Sequence, residues 1–119
     1  MQDFRDLKVW QKCHDAIREI YRVSSDFPRD EIYGLTAQLR RAAVSVGANI
    51  AEGCGRGSDP DFARFLQMAM GSASEVEYLL LLSRDLNYLN ADAHMGLNAD
   101  MAEVKRMLSA FLKKLKADS

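Results

Sequence analysis

A pattern of apolar residues at helical spacing runs from about Asp59 to Leu89, broken by no proline after Pro60 and by a single Gly71. In a chain without a membrane-length apolar run, only an α-helix sustains a pattern of this length. A straight helix of that extent is about 45 Å long, so the rest of the fold must pack along it. Phe62, Phe65, Leu66, Ala69, Ala73, Val76 and Leu80 form one stripe of this helix, and Met68, Leu79, Leu82 and Leu86 form a neighbouring one. A helix in a small monomeric bundle needs one apolar stripe. The second stripe, Met68, Leu79, Leu82 and Leu86, is therefore assigned to an oligomer interface.

Three more helical patterns accompany it. Leu7, Trp10, Ile17 and Tyr21, with His14 in the remaining position, predict a helix over about 7–24, which Pro28 and its polar neighbours end. Opposite charges three apart, Asp15 with Arg18 and Glu19 with Arg22, mark its outer face. A second helix over about 32–53 carries Leu35, Leu39, Ala42, Val46, Ile50 and Gly53 on one stripe and the small residues Ala43, Gly47 and Ala51 on another. A mid-helix glycine costs about 1 kcal/mol relative to alanine, so Gly47 predicts a second backbone close by, unless it is merely tolerated. The fourth helix, over about 92–116, has the regular stripe Leu97, Met101, Val104, Leu108, Phe111 and Leu115. Asn90 or Asp92 is placed to cap it.

Between helices 2 and 3, Gly53-Cys54-Gly55-Arg56-Gly57-Ser58 reads as a break whose glycines supply the left-handed conformation that ends a helix. Ser58 or Asp59 then caps helix 3, with Pro60 and Asp61 suited to its first turn. Short connections between four helices predict an all-α fold, an antiparallel up-down-up-down four-helix bundle occupying residues 1–119 as one domain.

The chain has only two prolines, 48% hydrophobic and 28% charged residues, the balance of a globular protein. Its formal net charge of −1 comes without a basic block, which argues against tight non-specific nucleic-acid binding. No apolar run approaches the roughly 20 residues that span a bilayer, and Met1-Gln2-Asp3-Phe4-Arg5 lacks the apolar core of a secretory signal. A cytoplasmic location is expected, with Cys13 and Cys54 reduced.

The residues that carry chemistry elsewhere fail here on spacing. The glycine run follows a helix, whereas phosphate-cradling loops follow a strand; the start of helix 3 behind it is still a place where an anion is favoured. Di-iron bundles place Glu-x-x-His on two helices, and no Glu here precedes a His by three. His14 and His94 lie on different helices without a companion Cys, and Cys54 has no neighbouring His to activate it. No catalytic residue, metal ligand or cofactor is predicted, and the chain is read as not an enzyme.

The most pointed polar residues are Arg40, Arg41, Asn49, Glu52 and Glu75, which interrupt small or apolar surface. Buried charge is costly unless paired, so they are assigned to an interhelix or intersubunit polar network. If helices 2 and 3 fold back on each other, Arg40 and Arg41 lie level with Glu75, and Glu52 with Arg64; pairing of Arg40 or Arg41 with Glu75 is expected. A competing reading puts Arg40, Arg41 and Arg56 on the phosphates of RNA or DNA.

Phe4-Arg5-Asp6-Leu7-Lys8-Val9-Trp10-Gln11-Lys12, Tyr33-Gly34-Leu35-Thr36, Gln38-Leu39-Arg40-Arg41-Ala42-Ala43-Val44-Ser45-Val46 and Asn49-Ile50-Ala51-Glu52-Gly53 together resemble the four-helix bundle proteins of 23S ribosomal RNA intervening sequences. Phe65-Leu66, Ala69, Gly71-Ser72 and Glu75 fit the same pattern. The resemblance implies a bundle protomer that forms a ring-like homopentamer, with biochemical activity mostly unassigned. A related branch, the accessory proteins of diversity-generating retroelements, binds nucleic acid through a basic surface, which this near-neutral chain does not match. It also carries Gly47 where many relatives have proline and Cys54 where an aromatic is common. The expected function is a non-enzymatic oligomeric scaffold that engages a protein or nucleic-acid partner; the alternative is a nucleic-acid-binding accessory factor of a retroelement or ribosomal RNA locus.

Overall fold

The four patterns are realised as α1 (Lys8–Ser24), α2 (Leu35–Cys54), α3 (Asp59–Asp85) and α4 (Ala91–Asp118) in a computed structural model that describes residues 2–118. Short 3₁₀ turns at Phe4–Asp6 and Arg29–Glu31 precede α1 and α2, and no strand occurs among the described residues. The helices pack as a bundle 46 × 23 × 20 Å in extent, with the core along its length.

The starts of α2, α3 and α4 each have a local cause. Ser58 caps α3, its Oγ accepting from the Asp61 amide at 3.3 Å, and Asn90 caps α4, its Oδ1 accepting from the Ala93 amide at 2.7 Å. α2 begins at Leu35, later than the predicted 32, because the preceding residues form the 3₁₀ turn. The Glu31 carboxylate reaches forward to accept from the Leu35 amide at 3.1 Å and serves as the missing cap. α3 stops at Asp85, before the predicted 89. Asn87 adopts φ 64°, and the amides of Tyr88 and Leu89 both donate to the Ser83 carbonyl, a left-handed helix stop built on asparagine.

The predicted left-handed glycines at the α2–α3 break are a correction: among the described residues no glycine has positive φ. Gly53 is needed for packing instead, since a Cβ there would lie 2.8 Å from Phe62 Cδ1 and 3.0 Å from Phe65 Cβ. Gly47 also differs from expectation. What approaches it is not a backbone but side chains of α1, with Ile17 Cδ1 3.2 Å and Trp10 Nε1 3.8 Å from where its Cβ would be.

The predicted main stripes of α2, α3 and α4 supply the core, with Leu39, Val46, Ile50, Leu66, Val76, Leu80, Met101, Val104 and Leu108 fully buried. In α1 the deepest residues are Val9, Cys13, Ala16 and Ile20, one step around the helix from the predicted stripe. Trp10 and Ile17 form a half-buried flank and Tyr21 is exposed, so this second apolar edge of α1 seals against the small residues of α2. α2 and α3 form the most extensive helix pair, consistent with the alanines and Gly53 that line it.

Candidate interaction surface

The outward face of the α2–α3 pair follows from the phase of the two helices. With Leu39, Val46 and Ile50 turned inward, Arg41, Val44, Ala48 and Glu52 are exposed on α2; with Phe62, Leu66 and Ala73 inward, Met68, Gly71 and Glu75 are exposed on α3. Across the seam Ser45 and Ser72 hydroxyls bond at 2.9 Å. Asn49 Nδ2 donates to the Ser45 carbonyl at 2.9 Å and to its hydroxyl at 3.1 Å, so this asparagine orders its own helix.

The proposed oligomer stripe is divided by the structure. Met68 and Leu86 are 46% and 44% exposed, and Leu82 is half-buried, but Leu79 is 1% exposed. Leu79 follows the buried Val76 by three and precedes the buried Ser83 by four, which turns it into the protomer core; its assignment to an intersubunit surface is corrected. Val44, 44% exposed on α2, joins the apolar surface in its place.

The predicted polar network is also dispersed. Arg40 turns away from α3 and ties α2 to the end of α1: Nε donates to Ser24 Oγ at 2.8 Å and Nη2 to the Tyr21 carbonyl at 3.1 Å, with the guanidinium over the Tyr21 ring. Arg41 and Glu75 are exposed, and among the described residues neither makes an ion pair or hydrogen bond, so the expected pairing within the protomer is not formed. Glu52 accepts from Arg56 at 3.1 Å, Arg56 also approaches Asp61 at 3.7 Å, and Arg64 pairs with Asp61. Both Arg56 and Arg64 lie over Phe65. Arg56 is thus held at the α2–α3 turn, and Asp59 and Asp61 already supply negative charge to the α3 N-terminus.

Other polar contacts had no signal in sequence because they join distant segments. Tyr88 donates to Glu31 at 3.0 Å, which raises the tyrosine pKa, chiefly through that hydrogen bond. Lys105 pairs with Glu77 at 2.8 Å across α3 and α4. Ile32 and Tyr33 project from the α1–α2 connection, Tyr33 being 96% exposed. His14 stacks on Trp10 with centroids 4.6 Å apart, and no group of three or more His, Cys, Asp or Glu is placed to hold a metal ion among the described residues. Both cysteines are buried. Burial pushes Cys13 up to about 12, and it also raises Cys54, with Asp3 adding a smaller push. An open cleft of about 480 Å³ at the end of the bundle is lined by Phe62, Phe111 and Leu115 beside Arg56. Among the described residues no helix is long and apolar enough to cross a membrane.

Against known proteins, residues 5–110 match the family model described as 23S rRNA-intervening sequence protein. The chain belongs to that family. The 23S rRNA-intervening sequence family member is similar to a crystal structure of a protein of unknown function from the S23 ribosomal protein family of Bacteroides thetaiotaomicron, with a TM-score of 0.78 and 28% identity. The match covers 88% of this chain and 98% of that one. No curated protein matches the sequence.

Proposed function

We propose that this 23S rRNA-intervening sequence family member is a non-enzymatic cytoplasmic scaffold, an antiparallel up-down-up-down bundle that works as a homo-oligomer and engages a protein or nucleic-acid partner. The observation that carries the reading is the outward α2–α3 face. Val44 and Met68 are exposed there beside Ala48, Gly71 and Ser72, a patch of apolar and small residues with Arg41, Glu52 and Glu75 around it. Five copies is the number that the family resemblance implies.

The alternative, a nucleic-acid-binding accessory factor, relies on Arg40, Arg41 and Arg56. Arg40 is spent on the Tyr21 carbonyl and Ser24, and Arg56 on Glu52 and Asp61. Of these three, Arg41 alone is without a partner among the described residues, which favours the scaffold reading.

Light scattering after size exclusion tests assembly: an oligomer at micromolar concentration is expected, and a monomer at high micromolar concentration overturns the proposal. A salt titration of binding to RNA and DNA tests the alternative, because phosphate-dominated affinity falls steeply as salt rises.

A further inference from the structure

Arg41 and Glu75 stand level on the α2–α3 face. Gly53 backs onto Phe62, and Ser45 meets Ser72, which fixes how the two helices are aligned. One turn beyond the serine pair, four residues back along α2 and three forward along α3, come Arg41 and Glu75. Both are exposed, and among the described residues neither has a hydrogen bond, ion pair or ring contact. The neighbouring charges are already engaged, Glu52 with Arg56 and Arg64 with Asp61. The surface between is uncharged: Val44, Ser45, Ala48, Met68 and Ser72.

We infer that this face receives a second copy of the chain, with Arg41 of one copy donating to the Glu75 carboxylate of the next. The inference rests on the self-assembly reading above and specifies its geometry. Covering a face that holds an unpaired cation and an unpaired anion is costly unless each meets its opposite, and Arg41 and Glu75 supply both signs at one height. A rotation about an axis parallel to the helices preserves height. It sets α2 of one copy against α3 of the next and Arg41 opposite Glu75. A two-fold axis across the helices at this height instead faces α2 with α2 and Arg41 with Arg41. The charge pattern therefore selects the parallel axis, around which a ring of any number closes.

The test is charge reversal in the full chain, read by light scattering over a concentration series. Arg41→Glu and Glu75→Arg each set like charges opposite and weaken assembly by about tenfold or more, and the double reversal restores it to within about threefold. Mixing the two single variants restores assembly in part, because each supplies the sign that the other lacks, while a ring with an odd number of copies keeps at least one like-charged contact. Pairing within one protomer cannot produce that rescue. Should a reversal fail to fold by circular dichroism, Arg41→Gln and Glu75→Gln remove charge at similar size and are expected to weaken assembly several-fold. An oligomer that none of the folded variants weakens, or a double variant and a mixture that do not recover, overturns the Arg41–Glu75 contact and leaves self-assembly standing. A wild-type monomer overturns both.

Discussion

Replacing Gly53 by alanine adds one methyl group at the tightest point of the α2–α3 seam. The new Cβ would lie 2.8 Å from Phe62 Cδ1, 3.0 Å from Phe65 Cβ and 3.2 Å from Phe62 Cε1. Neither phenylalanine yields easily. The Phe62 ring packs edge-on against Phe111 with centroids 5.2 Å apart, and a Cβ moves only with its backbone. The helices must separate by several tenths of an ångström, an overpacking cost of about 1–3 kcal/mol. Alanine regains up to about 1 kcal/mol of helix propensity, less near a helix end, so the net loss is about 1–2 kcal/mol. Gly96 is the control: it lies within α4 with nothing within 4 Å of its would-be Cβ. Gly96→Ala is expected to gain about 0.5–1 kcal/mol. The two variants should differ by about 2 kcal/mol, or about 8 °C in Tm for a chain of this size. Urea unfolding at one fixed protein concentration measures it, because assembly shifts apparent stability by mass action. A Gly53→Ala protein as stable as wild type, with an unchanged m-value, would refute the assignment of Gly53 to packing.

Arg40→Met keeps length and apolar stem but loses the donors to Ser24 and the Tyr21 carbonyl; a loss of about 1–3 kcal/mol is expected in urea unfolding. A stability matching wild type would mean that this tie contributes nothing. Cys13 should resist iodoacetamide in the folded protein and react once the chain is unfolded, as read by mass spectrometry. The folded thiol keeps its proton up to about 12 whereas the unfolded one releases it near the ordinary 9.0, so this group's contribution to stability is full below that ordinary value and lost as pH rises toward 12. Relative to Cys13→Ala, wild-type stability should fall by up to about 1.4 kcal/mol per pH unit across that window; parallel pH profiles would contradict it. In a spectroscopic titration Glu31→Gln should bring Tyr88 ionisation down in pH. An unmoved tyrosine titration would dissociate Tyr88 from Glu31.

Periodicity carried most of the fold, because the residues that fill a bundle core repeat at the spacing of the helix that bears them. It fixed the buried stripes of α2, α3 and α4 but not where a helix ends. The late start of α2 depends on a carboxylate four residues upstream, and the early end of α3 on one asparagine in the left-handed region. In α1 and α3 two apolar stripes adjoin, and pattern alone does not say which edge a neighbour covers. Leu79 lies on the covered side of that edge, and Val9 and Cys13 lie deeper in the core than Trp10. Arg40 and Arg41 show the same limit for polar residues. Adjacent in sequence, they point about 100° apart around α2, one onto α1 and the other to solvent. The Ser45–Ser72 bond was hidden for another reason, since hydroxyls that meet across a seam leave no mark on hydropathy.

Ile32 and Tyr33 lie exposed in the connection between α1 and α2. Copies turned about an axis parallel to their helices all point the same way. A ring of the kind proposed would have two unlike ends, one gathering every Ile32–Tyr33 loop and the other the α4 ends with Lys113 and Lys114. A loop too small to hold a partner alone gains strength by repetition when several are displayed on one rim. Such a particle also has a direction, and can present one rim to a target while the other stays turned away.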